Sequence, residues 1–125
     1  METTDFHEIF NRIRKQLLPY GKKMEIRTDT ASSFQLYIIK DFEMAGRQFK
    51  ECYFGGAVIQ KTMVAFYFFP IYSHPNTLTI PAAINKNLKG KSCFNFKKLD
   101  EGQEKAIGLL LKDGFELYSK KFVLK

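Results

Sequence analysis

The sequence predicts a single α+β domain: a mainly antiparallel five-stranded sheet with N-terminal and C-terminal helices packed on one face. Three observations predict it. Apolar residues recur at helical spacing near both ends of the chain, over Phe6–Leu17 and over Ile107–Tyr118. Between them, strand-forming runs are separated by short turns, which favours antiparallel neighbours. The chain has 125 residues and 45% hydrophobic residues. At 14.6 kDa its folded surface should be about 6,900 Å², against about 21,000 Å² unfolded, which is enough burial for one core.

The first helix opens at Asp5, with Glu8 at capping-box spacing. Phe6, Ile9, Phe10, Ile13 and Leu17 fall on one of its faces, and Pro19 and Gly21 end it. Met24, Ile26 and Thr28 alternate with Glu25, Arg27 and Asp29, the period of a half-buried strand. Ala31–Ser33 reads as a turn and Phe34–Ile39 as a second strand. Asp41–Arg47 reads as a connection and Phe49–Ile59 as a third strand. Its Gly55-Gly56 pair predicts a bulge or a close backbone approach. Gln60–Thr62 is the hairpin turn into a fourth strand, Met63–Phe69, which Pro70 stops because proline cannot donate to a ladder.

Ile71–Thr79 reads as a loop holding His74. Pro81 opens a short helix through Leu88, and Gly90 ends it. Ser92–Phe96 is the fifth strand. Asp100 and Gln103 repeat the capping-box spacing before a long helix, with Ile107, Leu110, Leu111, Gly114, Leu117 and Tyr118 on one face. Two readings stand for 115–122: continuation of that helix, or a sixth strand after Gly114. The fourth strand is apolar on both faces, so the sheet face away from the helices is either covered or adhesive.

The composition limits function. A disordered chain would be poorer in apolar residues. Lys and Arg number 20 against 13 Asp and Glu, for a net charge of +7, which favours phosphate-bearing or anionic partners. No apolar run approaches the roughly 20 residues of a membrane span, and Met1–Asp5 is unlike a secretory leader. The expectation is a cytoplasmic protein with Cys52 and Cys93 reduced. Whether the two thiols lie close in space is left open.

The clearest anomaly is a run of lysines without an acid: Lys86, Lys89, Lys91, Lys97 and Lys98. A solvated connection explains such a run most simply; the functional alternative is an anion site, with Gly90 letting backbone N–H groups converge. Gly90-Lys91-Ser92 is not the end of a P-loop, because Asn85 stands where the motif needs glycine and no strand precedes it. Adjacent aromatics such as Tyr53, Phe66, Tyr67 and Phe68 read as core before they read as base-stacking platforms. Specific nucleic-acid binding is not expected. His7 and His74 form no metal-ligand spacing. Buried inert thiols explain Cys52 and Cys93 better than a Cys93–His74 dyad does. Asp100, Glu101 and Glu104 suit the positive end of a helix.

The strings MVAFYFFPIYSHP, KGKSCFNFKKLDEGQ and LLLKDGFELY, within Val58–Tyr118, resemble the YdhG-like family, a bacterial domain of unknown function. Gly90–Phe96 is the most specific part, and the first half matches only in layout. The resemblance implies a compact α+β domain without a cofactor or an established reaction. Some members of that family resemble frataxin in handling iron through acidic surface residues. In this basic chain the only acidic group that such a role would fall on is Asp100, Glu101 and Glu104.

The leading expectation is a non-catalytic binding module with a basic, anion-accepting patch at residues 86–98. Lys89, Lys91 and Ser92 would contact the anion at Gly90, and Lys97 and Lys98 would add field. The partner is an anionic small molecule or a protein. The alternatives are iron handling at Asp100, Glu101 and Glu104, and a homodimer joined through the outer aromatic sheet face. In a purely structural account, Phe94 and Phe96 anchor a short strand and nothing more.

Overall fold

The computed structural model describes residues 2–44 and 46–122. Helix α1 spans Phe6–Leu17 and runs into a 3-10 turn at Leu18–Lys22. Strands β1 (Glu25–Asp29), β2 (Ser33–Met44), β3 (Arg47–Ile59) and β4 (Val64–Phe68) follow as a meander. Two short helices, α2 (Pro70–Ser73) and α3 (Ala82–Asn85), lead to β5 (Leu88–Lys89) and β6 (Cys93–Phe96). Helix α4, Glu101–Phe122, closes the order.

The sheet is antiparallel throughout, in the order β1-β2-β3-β4-β6-β5. After β4 the chain passes through α2 and α3 to the far edge, then turns back so that β6 lies against β4. The sheet therefore has six strands, one more than expected. The extra one is β5, in a stretch expected to be helical through Leu88. Helix α3 ends at Asn85, and Pro81 caps it from outside rather than opening its first turn. Gly90 does not end a helix. It sits at φ 77°, between β5 and β6, where L side chains are disfavoured.

Two further boundaries differ from expectation, and one open reading is decided in favour of the helix. Asp41–Arg47 is not a connection, because β2 runs to Met44 and β3 starts at Arg47. Ile71–Thr79 is not all loop, since α2 reaches Ser73. Gly114 does not stop α4, so 115–122 adds no strand. A glycine inside a helix costs only about 1 kcal/mol relative to alanine, and packing outweighs that here. A Cβ on Gly114 would stand 2.2 Å from Phe68 Cζ, so only glycine lets α4 approach β4.

The core lies between the sheet and the two long helices. Ile9, Phe10, Ile13 and Leu17 bring it the inner face of α1; Ile107, Leu110, Leu111 and Tyr118 bring it that of α4. From the sheet come Phe34, Leu36 and Ile38 of β2, Phe66 and Phe68 of β4, and Phe94 and Phe96 of β6. Gly55-Gly56 meets both expectations. The register steps from Leu36↔Gly55 to Tyr37↔Tyr53, leaving Phe54 as the extra residue of a bulge. A Cβ on Gly56 would lie 2.3 Å from the Phe34 carbonyl oxygen and from Gln35 Oε1.

The opposite sheet face is aromatic but carries polar ends. Arg27 reaches from β1 over the Tyr37 ring, 4.3 Å from its centroid, to Glu51 on β3. Tyr37 packs on Tyr53 at 5.1 Å, and the Tyr53 hydroxyl donates to Gln35 Oε1. Gln60 Nε2 donates to Tyr67 Oη at 3.0 Å. Among the described residues no helix is long and apolar enough to cross a membrane.

Candidate anion-binding site

Four of the five lysines in the acid-free run gather at one hollow of about 600 Å³. Lys86 follows α3, Lys89 is on β5, and Lys97 and Lys98 follow β6. Antiparallel pairing of β5 and β6 brings the two halves of the run together. Asn87, Asn95 and Gln103 supply polar walls, and Thr62 and Met63 of the β3–β4 turn complete them. Asn87 Nδ2 donates to the Asn95 carbonyl oxygen at 2.9 Å. Asn87 Oδ1 is buried and has no hydrogen-bond partner among the described residues. Lys98 also reaches Glu2 Oε1 at 3.4 Å across the surface, a contact worth little to stability.

The expected cluster of Lys89, Gly90, Lys91 and Ser92 does not stay together. Lys89 faces the four-lysine hollow with Lys97 and Lys98, whereas Gly90 and Lys91 line a second pocket, of about 430 Å³. The left-handed turn at Gly90, which separates Lys89 on β5 from Lys91 in the turn, sends the two lysines to different places. The Ser92 carbonyl oxygen accepts from Phe68 N at 2.8 Å, so this residue serves the β4–β6 junction. Sequence reasoning missed Asn87 and Asn95, which no charge or motif marks, and read Gln103 only as half of a capping box. It also left Lys86 in the run but outside the site. The signal that would have joined Lys86 and Lys89 to Lys97 and Lys98 is a hairpin at Gly90.

The second pocket lies between 71–80 and the β5–β6 turn. Lys91 Nζ stands over the Tyr72 ring, 5.6 Å from its centroid. His74 also lines this pocket. Its Nδ1 is hydrogen-bonded to Ser73 Oγ at 2.9 Å, and that oxygen is bonded to Tyr118 Oη. The Cys52 thiol reaches the same Tyr118 hydroxyl at 4.0 Å. A polar chain thus runs from the pocket wall into the core. Burial pushes the Cys52 thiol up to about 11, partly offset by its bond to Tyr118, and burial also raises the Tyr118 phenol. Neither is activated as a nucleophile. Cys93 lies elsewhere, with its thiol donating to Asn95 Oδ1 at 3.3 Å. Both cysteines are free thiols.

The acidic residues are engaged locally. Asp100 Oδ1 accepts from Gln103 N at 2.8 Å, and Gln103 Oε1 accepts from Asp100 N at 2.9 Å, a reciprocal capping box. Glu104 Oε1 lies 3.5 Å from Arg12 Nη1. Glu101 is exposed in the first turn of α4. Among the described residues no group of three His, Cys, Asp or Glu is arranged to hold a metal ion.

Fold and hollows together define a small α+β protein: a six-stranded antiparallel sheet, two long helices on one face, and a lysine-lined hollow at the β5 end. Comparison with protein-family models, with curated proteins and with solved structures finds no match to this chain.

Proposed function

We propose that this chain is a non-catalytic binding module whose basic face at residues 86–98 accepts the phosphate of a small molecule. The observation that carries the reading is the convergence of Lys86, Lys89, Lys97 and Lys98 on one hollow with no acidic side chain among its described lining. Convergent ammonium groups favour a multiply charged oxyanion through charge-assisted hydrogen bonds. The buried, unpartnered Asn87 Oδ1 favours a ligand that also carries a hydrogen-bond donor, such as a phosphate ester with a neighbouring hydroxyl. On this reading the protein works in the cytoplasm with reduced thiols, and its likeness to the YdhG-like family at Gly90–Phe96 is part of the proposal.

The test is calorimetric titration with glycerol phosphate and with inorganic phosphate at two salt concentrations. Glycerol phosphate should bind more tightly than phosphate, and salt should weaken both. Replacing Lys89 and Lys97 by Ala should weaken binding about tenfold for each lysine. Binding that ignores both replacements, or no heat with either ligand, sinks the assignment.

A further inference from the structure

The pocket at Lys91 differs in chemistry from the four-lysine hollow, and the reading above does not use it. Ile71, Leu78, Ile80 and Leu88 form one apolar wall, each packed on the edge of the core, while Tyr72, His74, Asn76 and Lys91 supply a polar side. Its volume of about 430 Å³ falls inside the roughly 300–1,000 Å³ of small-molecule sites. Among its described lining there is no carboxylate, and one ammonium, Lys91, stands at the rim over the Tyr72 ring. Two backbone positions shape the opening. Asn76 at φ 65° and Gly90 at φ 77° both line it, in a conformation that few residues adopt.

We propose that this pocket binds a small aliphatic carboxylate, with its chain against Ile71, Leu78, Ile80 and Leu88 and its carboxylate on Lys91. A pocket with one apolar wall and a single ammonium at its mouth matches a singly charged head on a hydrocarbon tail. A phosphate dianion is better matched by the hollow that gathers four lysines. The ligand binds at the side of the β5–β6 turn away from Lys89, so both sites can be filled at once.

Decanoate, kept below its micelle concentration, provides the probe, and amide and methyl NMR shifts provide the readout. Saturable shifts are expected at Ile71, Leu78, Ile80 and Lys91. Affinity should rise about fourfold for each methylene from hexanoate to decanoate, the equivalent of about 0.8 kcal/mol per buried methylene. Lys91→Ala should weaken decanoate binding about tenfold, and Lys112→Ala, a change at an exposed lysine of α4, should leave it unchanged. Decanol binding as tightly as decanoate would overturn the proposal, since the charge would then contribute nothing. Shifts confined to the four-lysine hollow, or no saturable shift at all, would overturn it as well. Phosphate is titrated in the same sample and reads at different resonances, so loss of one site is distinguishable from loss of the other.

Discussion

Gly114 and Cys52 show how single atoms set limits on this fold. A methyl group at Gly114 would collide with the Phe68 ring at 2.2, 3.0 and 3.1 Å, and that ring is fully buried. Alanine's better helix propensity, about 1 kcal/mol, opposes an overpacking penalty of about 1–3 kcal/mol. The collision involves three atoms of a fully buried ring, so the penalty wins. Gly114→Ala is expected to lower the urea midpoint, by a net of about 1–2 kcal/mol. At Cys52 the effect depends on pH. The thiol's ordinary value is 9.0 and burial raises it to about 11, so the native state holds this proton more tightly than the unfolded chain. The resulting stabilisation is full below pH 9 and is lost as pH rises towards 11. Two pH units correspond to at most about 2.7 kcal/mol. Urea unfolding at pH 8 and pH 10.5 should show a smaller loss of stability in Cys52→Ala than in the native sequence. Equal losses would mean that other groups account for the change.

At the scale of elements, two sites with capping-box spacing end differently. Asp100 and Gln103 bond each other's backbone amides. At α1 only half the box forms: Asp5 Oδ1 accepts from His7 N and Glu8 N, but the Glu8 carboxylate turns to Thr3 Oγ1 and Arg12. Asp100→Ala should therefore cost about 1 kcal/mol, read as a lower Tm with the far-UV spectrum retained. Gly90→Ala forces a Cβ into a left-handed turn and should cost about 1–2 kcal/mol, although a Cβ there meets nothing within 4 Å. The contrast also shows what a sequence displays. Amphipathic spacing revealed α1 and α4, because each helix has one wet and one dry face. The Gly55-Gly56 bulge was visible because paired glycines have few other uses in a strand. Strand β5 was not, since Leu88–Lys89 is too short to carry a period and Leu88 fits a helix face equally well. The hairpin at Gly90, and with it the division of the lysines between two hollows, depends on that missed strand. Half of the candidate site was therefore legible as charge, and its geometry was not.

Across the whole molecule the thiols are kept apart by the sheet itself. Cys52 is buried among core side chains opposite Ile38. Cys93 precedes the inward-facing Phe94 and pairs with Tyr67 on the other face, with β4 between β3 and β6. Side chains on opposite sides of a sheet cannot meet the distance limits of a disulfide. Mild oxidation of the native protein should give no intramolecular bridge by mass spectrometry, and Cys93, being half-buried, should react with a thiol reagent before Cys52. An intramolecular bridge formed without unfolding would contradict the placement of these strands.

The two ends of the strand order carry a consequence of their own. A β-sheet grows into a fibril by adding strands at a long, flat, unpaired edge. Here one edge is β5, two residues long and flanked by Lys86 and Lys91. The other is β1, whose pairing slips between Ile26 and Thr28 and whose Glu25, Arg27 and Asp29 are exposed. The first is too short to template a new strand, and the second is kinked and charged. The β2–β3 ribbon extends past both, unpaired on its outer sides over 38–44 and 47–53, and there Lys40, Asp41, Glu43, Arg47, Lys50 and Glu51 oppose strand addition. Concentrated native protein should keep thioflavin fluorescence at baseline, so a chain with 13 phenylalanines stays safe from fibril growth while it is folded.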